Sequence, residues 1–280
     1  YLTEGPITAE FEKKFAEYCE VKYGIATTSC STALELALRT LGIGKDDEVI
    51  VPDFTYPVTS FVVSLVGAMP VLVDVDLNSY NVTAENIEEA ITDRTKAVIP
   101  VSLFGNPLDK DVYKLKDEYG IYIIEDAACS AGAMLNGKKI GSQADMTCFS
   151  FHPRKVITTG EGGMITTDNG EYAERARSLK KFGIRNIDGR ISFVEVGTNY
   201  KMSDILAAIG LVQLEKIEDI IRDRIEKAKI YTELLENIDG IKAPEVRPNT
   251  RHTFQSYVCY VEKEGMRDKI REELAKKGVE

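Results

Sequence analysis

The chain has 280 residues, 44% of them apolar, and a formal net charge of −10. These values describe a globular chain with a sizeable core, and the acidic balance argues against a nucleic-acid partner. No apolar run reaches the roughly 18 residues that span a bilayer, since the longest candidate, 58–73, is interrupted by Gly67, Pro70 and several hydroxyls.

Cysteines at 19, 30, 129, 148 and 259 form no CxxC pair, and only two histidines occur. That usage predicts free thiols in a reducing, cytoplasmic setting, with no disulfide frame and no metal centre. The first residue is Tyr and no leader pattern follows it, so the native N-terminus is expected to lie outside this sequence.

Runs of β-branched residues predict strands at 49–51, 71–75, 97–101, 122–125, 147–151 and 164–167. Helical spacing occupies the intervals near 8–19, 31–41, 57–66, 83–91, 109–119 and 171–181. Leu34, Leu36, Ala37, Leu38 and Leu41 mark a helix buried along one face. Asp168 with Glu171 reads as a cap signal for the last of these helices. The alternation predicts an α/β fold, a mostly parallel sheet sandwiched by helices, with ligands gathering at the carboxyl ends of its strands. The stretch 203–237 reads as one long helix or two in line. A break at Gly240, Pro244 and Pro248 is followed by a predicted strand, 253–261, and a helix, 266–277. The chain thus divides into a large domain, 1–238, and the start of a smaller α+β domain, 239–280. Too small to be stable alone, the latter is expected to continue beyond the sequence.

Four features fall at predicted strand ends or helix starts. Lys155 closes Ser150-Phe151-His152-Pro153-Arg154-Lys155 and precedes the turn Gly160-Glu161-Gly162-Gly163. A lysine at a strand end is either an ordinary solvated one or a desolvated amine able to attack a carbonyl. Ser29-Cys30-Ser31-Thr32-Ala33 opens a helix, which is either plain N-capping or an anion site. Glu125-Asp126 ends an apolar strand, and a carboxylate there needs a cationic partner, from a ligand or from an ion pair. Tyr56 also follows a strand, as a stacking platform or as core. One cofactor would use all four: pyridoxal phosphate takes an anion site, a carboxylate for its ring nitrogen, a flat partner and a lysine.

Further segments follow in order: Gly5-Pro6, Asp47-Glu48-Val49-Ile50-Val51-Pro52, Leu103-Phe104-Gly105-Asn106-Pro107 and Asn199-Tyr200-Lys201-Met202-Ser203-Asp204. With the four features above, the chain resembles the sugar aminotransferases of the DegT/DnrJ/EryC1/StrS family, which have fold type I of the pyridoxal-phosphate enzymes. The resemblance implies that Lys155 carries the cofactor as a Schiff base and shuttles the proton. It implies that Asp126 pairs with the ring nitrogen, that Ser31, Thr32 and Ser150 hold the phosphate, and that Tyr56 stacks on the ring. Asn199 would reach the phosphate of a neighbouring subunit, which makes the active unit a homodimer with a shared site.

The implied reaction turns a nucleotide-linked keto-sugar into an amino sugar, with glutamate as donor and pyridoxamine phosphate as the intermediate form of the cofactor. The lysine stands where dehydratase relatives carry histidine, which favours amino transfer over dehydration, and the Lys155–Asp126 pair argues against a purely regulatory role. The alternative is other pyridoxal-phosphate chemistry, such as a lyase reaction. Departures also occur. Ser31 replaces a frequent glycine, Val156 a frequent asparagine, and Cys129 a glutamine that contacts the cofactor. For the substrate, the resemblance points to the segment holding His252 and Tyr257, and His152 and Arg185 are further candidates.

Overall fold

The computed structural model describes residues 2–279. Helix α1 (Pro6–Tyr18) leads into β1 (Tyr23–Thr27), α2 (Cys30–Thr40), β2 (Glu48–Pro52), α3 (Val58–Leu65), β3 (Met69–Val73), α4 (Ala84–Glu88) and β4 (Thr95–Val98). A short turn at Leu103–Gly105 precedes α5 (Lys110–Tyr119) and β5 (Tyr122–Asp126). A small hairpin, β6 (Met134–Leu135) and β7 (Lys138–Lys139), comes before β8 (Met146–Ser150), β9 (Gly163–Thr167) and α6 (Gly170–Leu179). A second hairpin, β10 (Ile184–Ile187) and β11 (Arg190–Phe193), is followed by α7 (Asp204–Glu215) and α8 (Ile217–Leu235). The last elements are β12 (Ile241–Lys242), β13 (Thr250–Arg251), β14 (Tyr260–Val261) and α9 (Met266–Lys276).

Seven strands form one sheet in the order β1-β9-β8-β5-β4-β2-β3. Neighbours from β8 across to β3 are parallel, while β9 runs antiparallel to both β8 and β1. Every strand but β9 therefore ends on the same edge. Every residue of β2, β8 and β9 is buried, as strands covered on both faces require. One apolar cluster joins Phe11 and Phe15 of α1 to Phe149 and Phe151. The other, across the sheet, joins Leu34, Leu36 and Leu38 of α2 to Val62 and Ala173. The α/β architecture expected from the sequence is the one observed. No helix among the described residues is long and apolar enough to cross a membrane.

Several boundaries differ for identifiable reasons. Strand β1 has no counterpart among the predicted strands, because its Gly24 and Ala26 dilute the β-branched signal. The glycine is needed: a Cβ on Gly24 would meet the Glu12 carbonyl oxygen at 2.5 Å, and Ala26 N donates to Glu12 Oε1 at 2.8 Å. The cap of α6 is Asn169, whose Oδ1 accepts from Glu171 N and Tyr172 N. Asp168 instead accepts from Lys22 N at 2.9 Å. The stretch 203–237 resolves into two helices that break at Lys216. Ser203 caps the first, and the side chain of Asp204 reaches back to accept from Gly5 N and Thr8 Oγ1, fastening the start of α1. The strand expected at 253–261 shrinks to Tyr260–Val261, since Phe254 takes a left-handed φ of 47° that no strand accommodates.

Candidate active site

A cavity of about 820 Å3 opens at the carboxyl edge of the sheet, where the ends of β1, β5 and β8 meet. Thr28, Ser29 and Ser31 line it from one side, Tyr56 from another, and Asp126, Ser150, His152 and Lys155 from below. Sequence distances of about a hundred residues are closed here by strand order alone, because β1, β8 and β5 are near neighbours in the sheet.

The anion end is the start of α2. Ser29 is its N-cap: Ser29 Oγ accepts from Thr32 N at 3.2 Å, and Ser29 N donates to Thr32 Oγ1 at 3.0 Å. Thr32 thus turns its hydroxyl back onto the cap and onto Thr28 Oγ1, at 3.0 Å, while Ser31 faces the cavity. The first-turn amides and the helix dipole favour a negative group at this end. Gly163 of β9 lets the strand approach: a Cβ there would sit 2.4 Å from the Ser29 carbonyl oxygen. Ser150 is buried below and accepts from His152 N at 3.4 Å.

Asp126 ends β5 at 4% exposure. Its Oδ2 accepts from Thr59 Oγ1 at 3.0 Å, and its Oδ1 from Ala128 N at 3.1 Å, with Cys30 Sγ at 3.9 Å. Burial pushes its proton affinity above the ordinary carboxylate range, against the pull of these donors and of Lys155. Among the described residues neither Asp126 nor Lys155 forms an ion pair. Lys155 Nζ instead donates to Cys129 Sγ at 3.3 Å. Burial raises the Cys129 thiol, so it stays protonated near neutrality. Lys155 N is anchored on the His152 carbonyl at 2.9 Å. His152 Nδ1 accepts from Arg154 N at 3.3 Å, and its Nε2 lies 3.8 Å from Glu161.

Four of the candidate residues lie away from this cavity within one chain. Asn199 is exposed and bridges to Lys181. Arg185 sits on the β10 hairpin between Glu174 and Glu195. His252 is buried against Phe254, ring centroids 4.1 Å apart, and burial lowers its pKa to about 4. Tyr257 bonds to Thr232 Oγ1 at 2.9 Å and stacks on Tyr231. His252 and Tyr257 thus join the C-terminal part to α8. The structure adds Thr59, Thr28, Ser29, Arg154 and Gln255 to the neighbourhood. Only the Ser29 cap had a readable signal, the small-residue run before α2.

The residues present fit pyridoxal phosphate on their own chemistry. A buried carboxylate lacks a cation, an amine beside it lacks an anion, and a helix start offers free amides. The comparisons agree. The model of the DegT/DnrJ/EryC1/StrS aminotransferase family matches residues 1–280. A GDP-perosamine synthase from Caulobacter vibrioides is 42% identical over 281 residues, covering 99% of this chain and 75% of that protein. The solved structure of DesV from S. venezuelae superposes with a TM-score of 0.95 at 35% identity, covering 100% of this chain and 74% of that one. A sugar aminotransferase assignment is also carried by Spr1654 of Streptococcus pneumoniae, solved in a PLP form, with a TM-score of 0.90, 31% identity and coverage of 99% and 77%.

The fold and the site define a pyridoxal-phosphate enzyme of the aminotransferase type. The chain belongs to the DegT/DnrJ/EryC1/StrS family of sugar aminotransferases.

Proposed function

We propose that this enzyme aminates a nucleotide-linked keto-sugar with glutamate as donor, as two copies sharing their sites. The observation that carries the reading is the placement of Lys155, without an ionic partner among the described residues, in the same cavity as the buried Asp126 and the open amides of α2. When bound, pyridoxal phosphate supplies a carbonyl that exchanges for an amine and a ring that draws electrons from the carbon beside it. The chain's own residues do the rest. Ser29, Ser31 and Ser150, with the first amides of α2, hold the phosphate, and Thr32 keeps the cap in shape. The Asp126 carboxylate holds the proton on the ring nitrogen. Lys155 Nζ takes a proton from the donor carbon and returns one to the sugar carbon. Cys129 Sγ orients that amine.

The shared site has its support in what one chain leaves uncovered. Tyr56 is 76% exposed although it lines the cavity. Ile191, Phe193 and Val196 form a large apolar exposure in and just beyond the hairpin that precedes Asn199. Patches of this kind mark interfaces, and a second copy placed there would bring Asn199 to its neighbour's phosphate end.

The test is incubation of the cofactor-loaded protein with glutamate and a panel of nucleotide-linked keto-sugars, read by mass spectrometry. The expected result is one amino-sugar nucleotide with an equal amount of 2-oxoglutarate. Amino-sugar formation with no 2-oxoglutarate would overturn the donor, and no amino product with any sugar would overturn the substrate class.

A further inference from the structure

Beyond the cavity the carboxyl edge of the sheet continues past β5 to β4, β2 and β3. Each of these strands is followed by an aromatic residue: Phe104 after β4, Phe54 after β2 and Tyr80 after β3. The three rings meet, with centroids 6.0 Å apart for Phe54–Tyr80, 6.5 Å for Phe54–Phe104 and 5.8 Å for Tyr80–Phe104. Phe54 remains 49% exposed.

Two of these residues are held in a costly backbone state. Tyr80 and Phe104 both have φ of 59°, a region bulky L-residues avoid, and such strain persists only where the surroundings over-determine it. The surroundings do. Buried Asn81 donates through Nδ2 to the carbonyls of Asn106 and Pro107, at 3.0 and 3.1 Å, and accepts from Leu103 N at 3.0 Å. Asn106 Nδ2 returns a bond to the Ser79 carbonyl at 3.3 Å. This reciprocal clamp locks the loops after β3 and β4 together and packs their half-buried rings edge to face.

The cluster is joined to the catalytic cavity through Gln255. The Gln255 side chain, which lines the cavity, donates to the Arg154 carbonyl at 2.8 Å, and the next amide, Ser256 N, donates to the Phe104 carbonyl at 3.4 Å. Arg154 also lines the cavity, and its guanidinium forms no ion pair among the described residues. A solvent-exposed guanidinium at the cavity and, across the Gln255–Ser256 link, a rigid aromatic cluster match a ligand with a charged end and a flat end.

We infer that Phe54, Tyr80 and Phe104 form the platform on which the base of the nucleotide-linked sugar stacks, with Arg154 as counter-charge for its diphosphate. The inference rests on the nucleotide-sugar reading above and names the part of the site that recognises the nucleotide. Stacking of a base on an aromatic side chain is lost on truncation to alanine, and a guanidinium fork can bind phosphate oxygens bidentately.

The experiment measures binding of guanosine, uridine and thymidine diphosphates, and of inorganic pyrophosphate, to the cofactor-loaded protein by calorimetry. For the nucleoside diphosphate that wild type binds, Phe54→Ala is expected to weaken binding about tenfold or more and to leave pyrophosphate unchanged. Arg154→Gln is expected to weaken both. Melting curves and light scattering on each variant guard against misfolding and altered assembly, and Phe54→Leu serves as the milder replacement. Equal binding of the nucleoside diphosphate by wild type and both Phe54 variants overturns the platform. So does a change of assembly state in Phe54→Ala, which would make the rings a contact between copies. Amino transfer from glutamate to a nucleotide sugar with wild-type KM in Phe54→Ala would leave the enzyme reading standing and sink the platform. Phe54-dependent nucleotide binding without any amination would do the reverse.

Discussion

Two neighbouring acids divide β5 between two regions of the molecule. Glu125 points into the layer under α5 and Asp126 into the cavity, and both are buried, at 0% and 4% exposure. Glu125 has both oxygens engaged by the chain itself, one by Ser102 Oγ and the other by Tyr113 OH at 2.9 Å. Asp126 has donors from Thr59, Ala128 and Cys30 but no cation among the described residues, and it borders open space. A buried carboxylate without a full set of partners is costly. Neither acid has a cation among the described residues, but the interior acid is sealed in the core, whereas the cavity acid is open to one brought by a ligand. The same contrast separates two lysines, one in the core and one at the cavity. Lys180, fully buried, is satisfied by Glu4, Glu12 and the Ala26 carbonyl, while Lys155 has only a thiol.

The largest effect should come from the cavity lysine. Lys155→Ala removes both the covalent hold on the cofactor and the proton carrier. The expected outcome is background turnover and no visible absorbance band of a lysine-bound cofactor, read by spectrophotometry. Activity within tenfold of wild type would end the distinction drawn between the two lysines. Asp126→Asn comes next, with turnover expected to fall about 10²–10³-fold, the usual cost of one preorganised electrostatic contact. The cofactor-free variant should melt no lower than wild type, because an uncompensated buried acid has been removed. A clear drop in melting temperature would mean that the Thr59 and Ala128 donors already compensate Asp126 without a ligand.

Glu125 offers a pH test of the interior side. Burial raises its pKa from 4.5 to about 7. Between those values the folded chain binds more protons than the unfolded one, so its contribution to stability falls as pH rises and levels off above 7. At about 1.4 kcal/mol per unit this amounts to about 3 kcal/mol. Buried His252 has the opposite sign, since its pKa drops from 6.5 to about 4. Its contribution is present above 6.5 and is lost as pH falls toward 4. The two slopes oppose each other between about 4.5 and 6.5. Glu125→Gln should therefore gain about 3 kcal/mol at pH 8 and almost nothing at pH 4, and it should expose the rising His252 slope in between. Denaturant midpoints across this range check it, and a variant whose stability tracks wild type at every pH would refute it.

Much of this contrast was readable beforehand where one residue type had to sit at one place. Strands rich in Val and Ile announced the sheet, and the order of short motifs announced the family. Lys155, Asp126 and Ser150 meet because β8 and β5 are parallel neighbours. The hairpin at 184–193 carried a readable sign, Asp188-Gly189 with φ of 51° and 79°, the pair that a tight hairpin turn demands. What could not be read were contacts set by tertiary approach. Gly24 weakens the strand signal of β1, and the reason for it lies in the close approach of Glu12. His252 and Tyr257 looked like substrate groups, yet they pack toward α8. Thr59 sits in a run of apolar and hydroxyl residues that any amphipathic helix could show, and its meaning depends on a carboxylate 67 positions away.

Thr59 also gives the smallest and most discriminating effect. Thr59→Val keeps the shape of a fully buried side chain and removes the donor to Asp126 Oδ2, together with a long 3.4 Å contact to Thr55 Oγ1. A hydrogen bond to a charged group contributes roughly 1.5–3 kcal/mol, so turnover should fall about tenfold while the fold stays intact. The direction in pH follows from the chemistry. The hydroxyl favours the ionised carboxylate, and its loss raises the Asp126 pKa further above the ordinary range. If ionised Asp126 is required, the acid limb of the kcat/KM profile moves to higher pH in Thr59→Val and returns in Thr59→Ser. A Thr59→Val profile that overlays wild type would mean that the cavity acid is set by burial alone. Thr59 would then be packing, with no more bearing on the chemistry than the hydroxyls around Glu125.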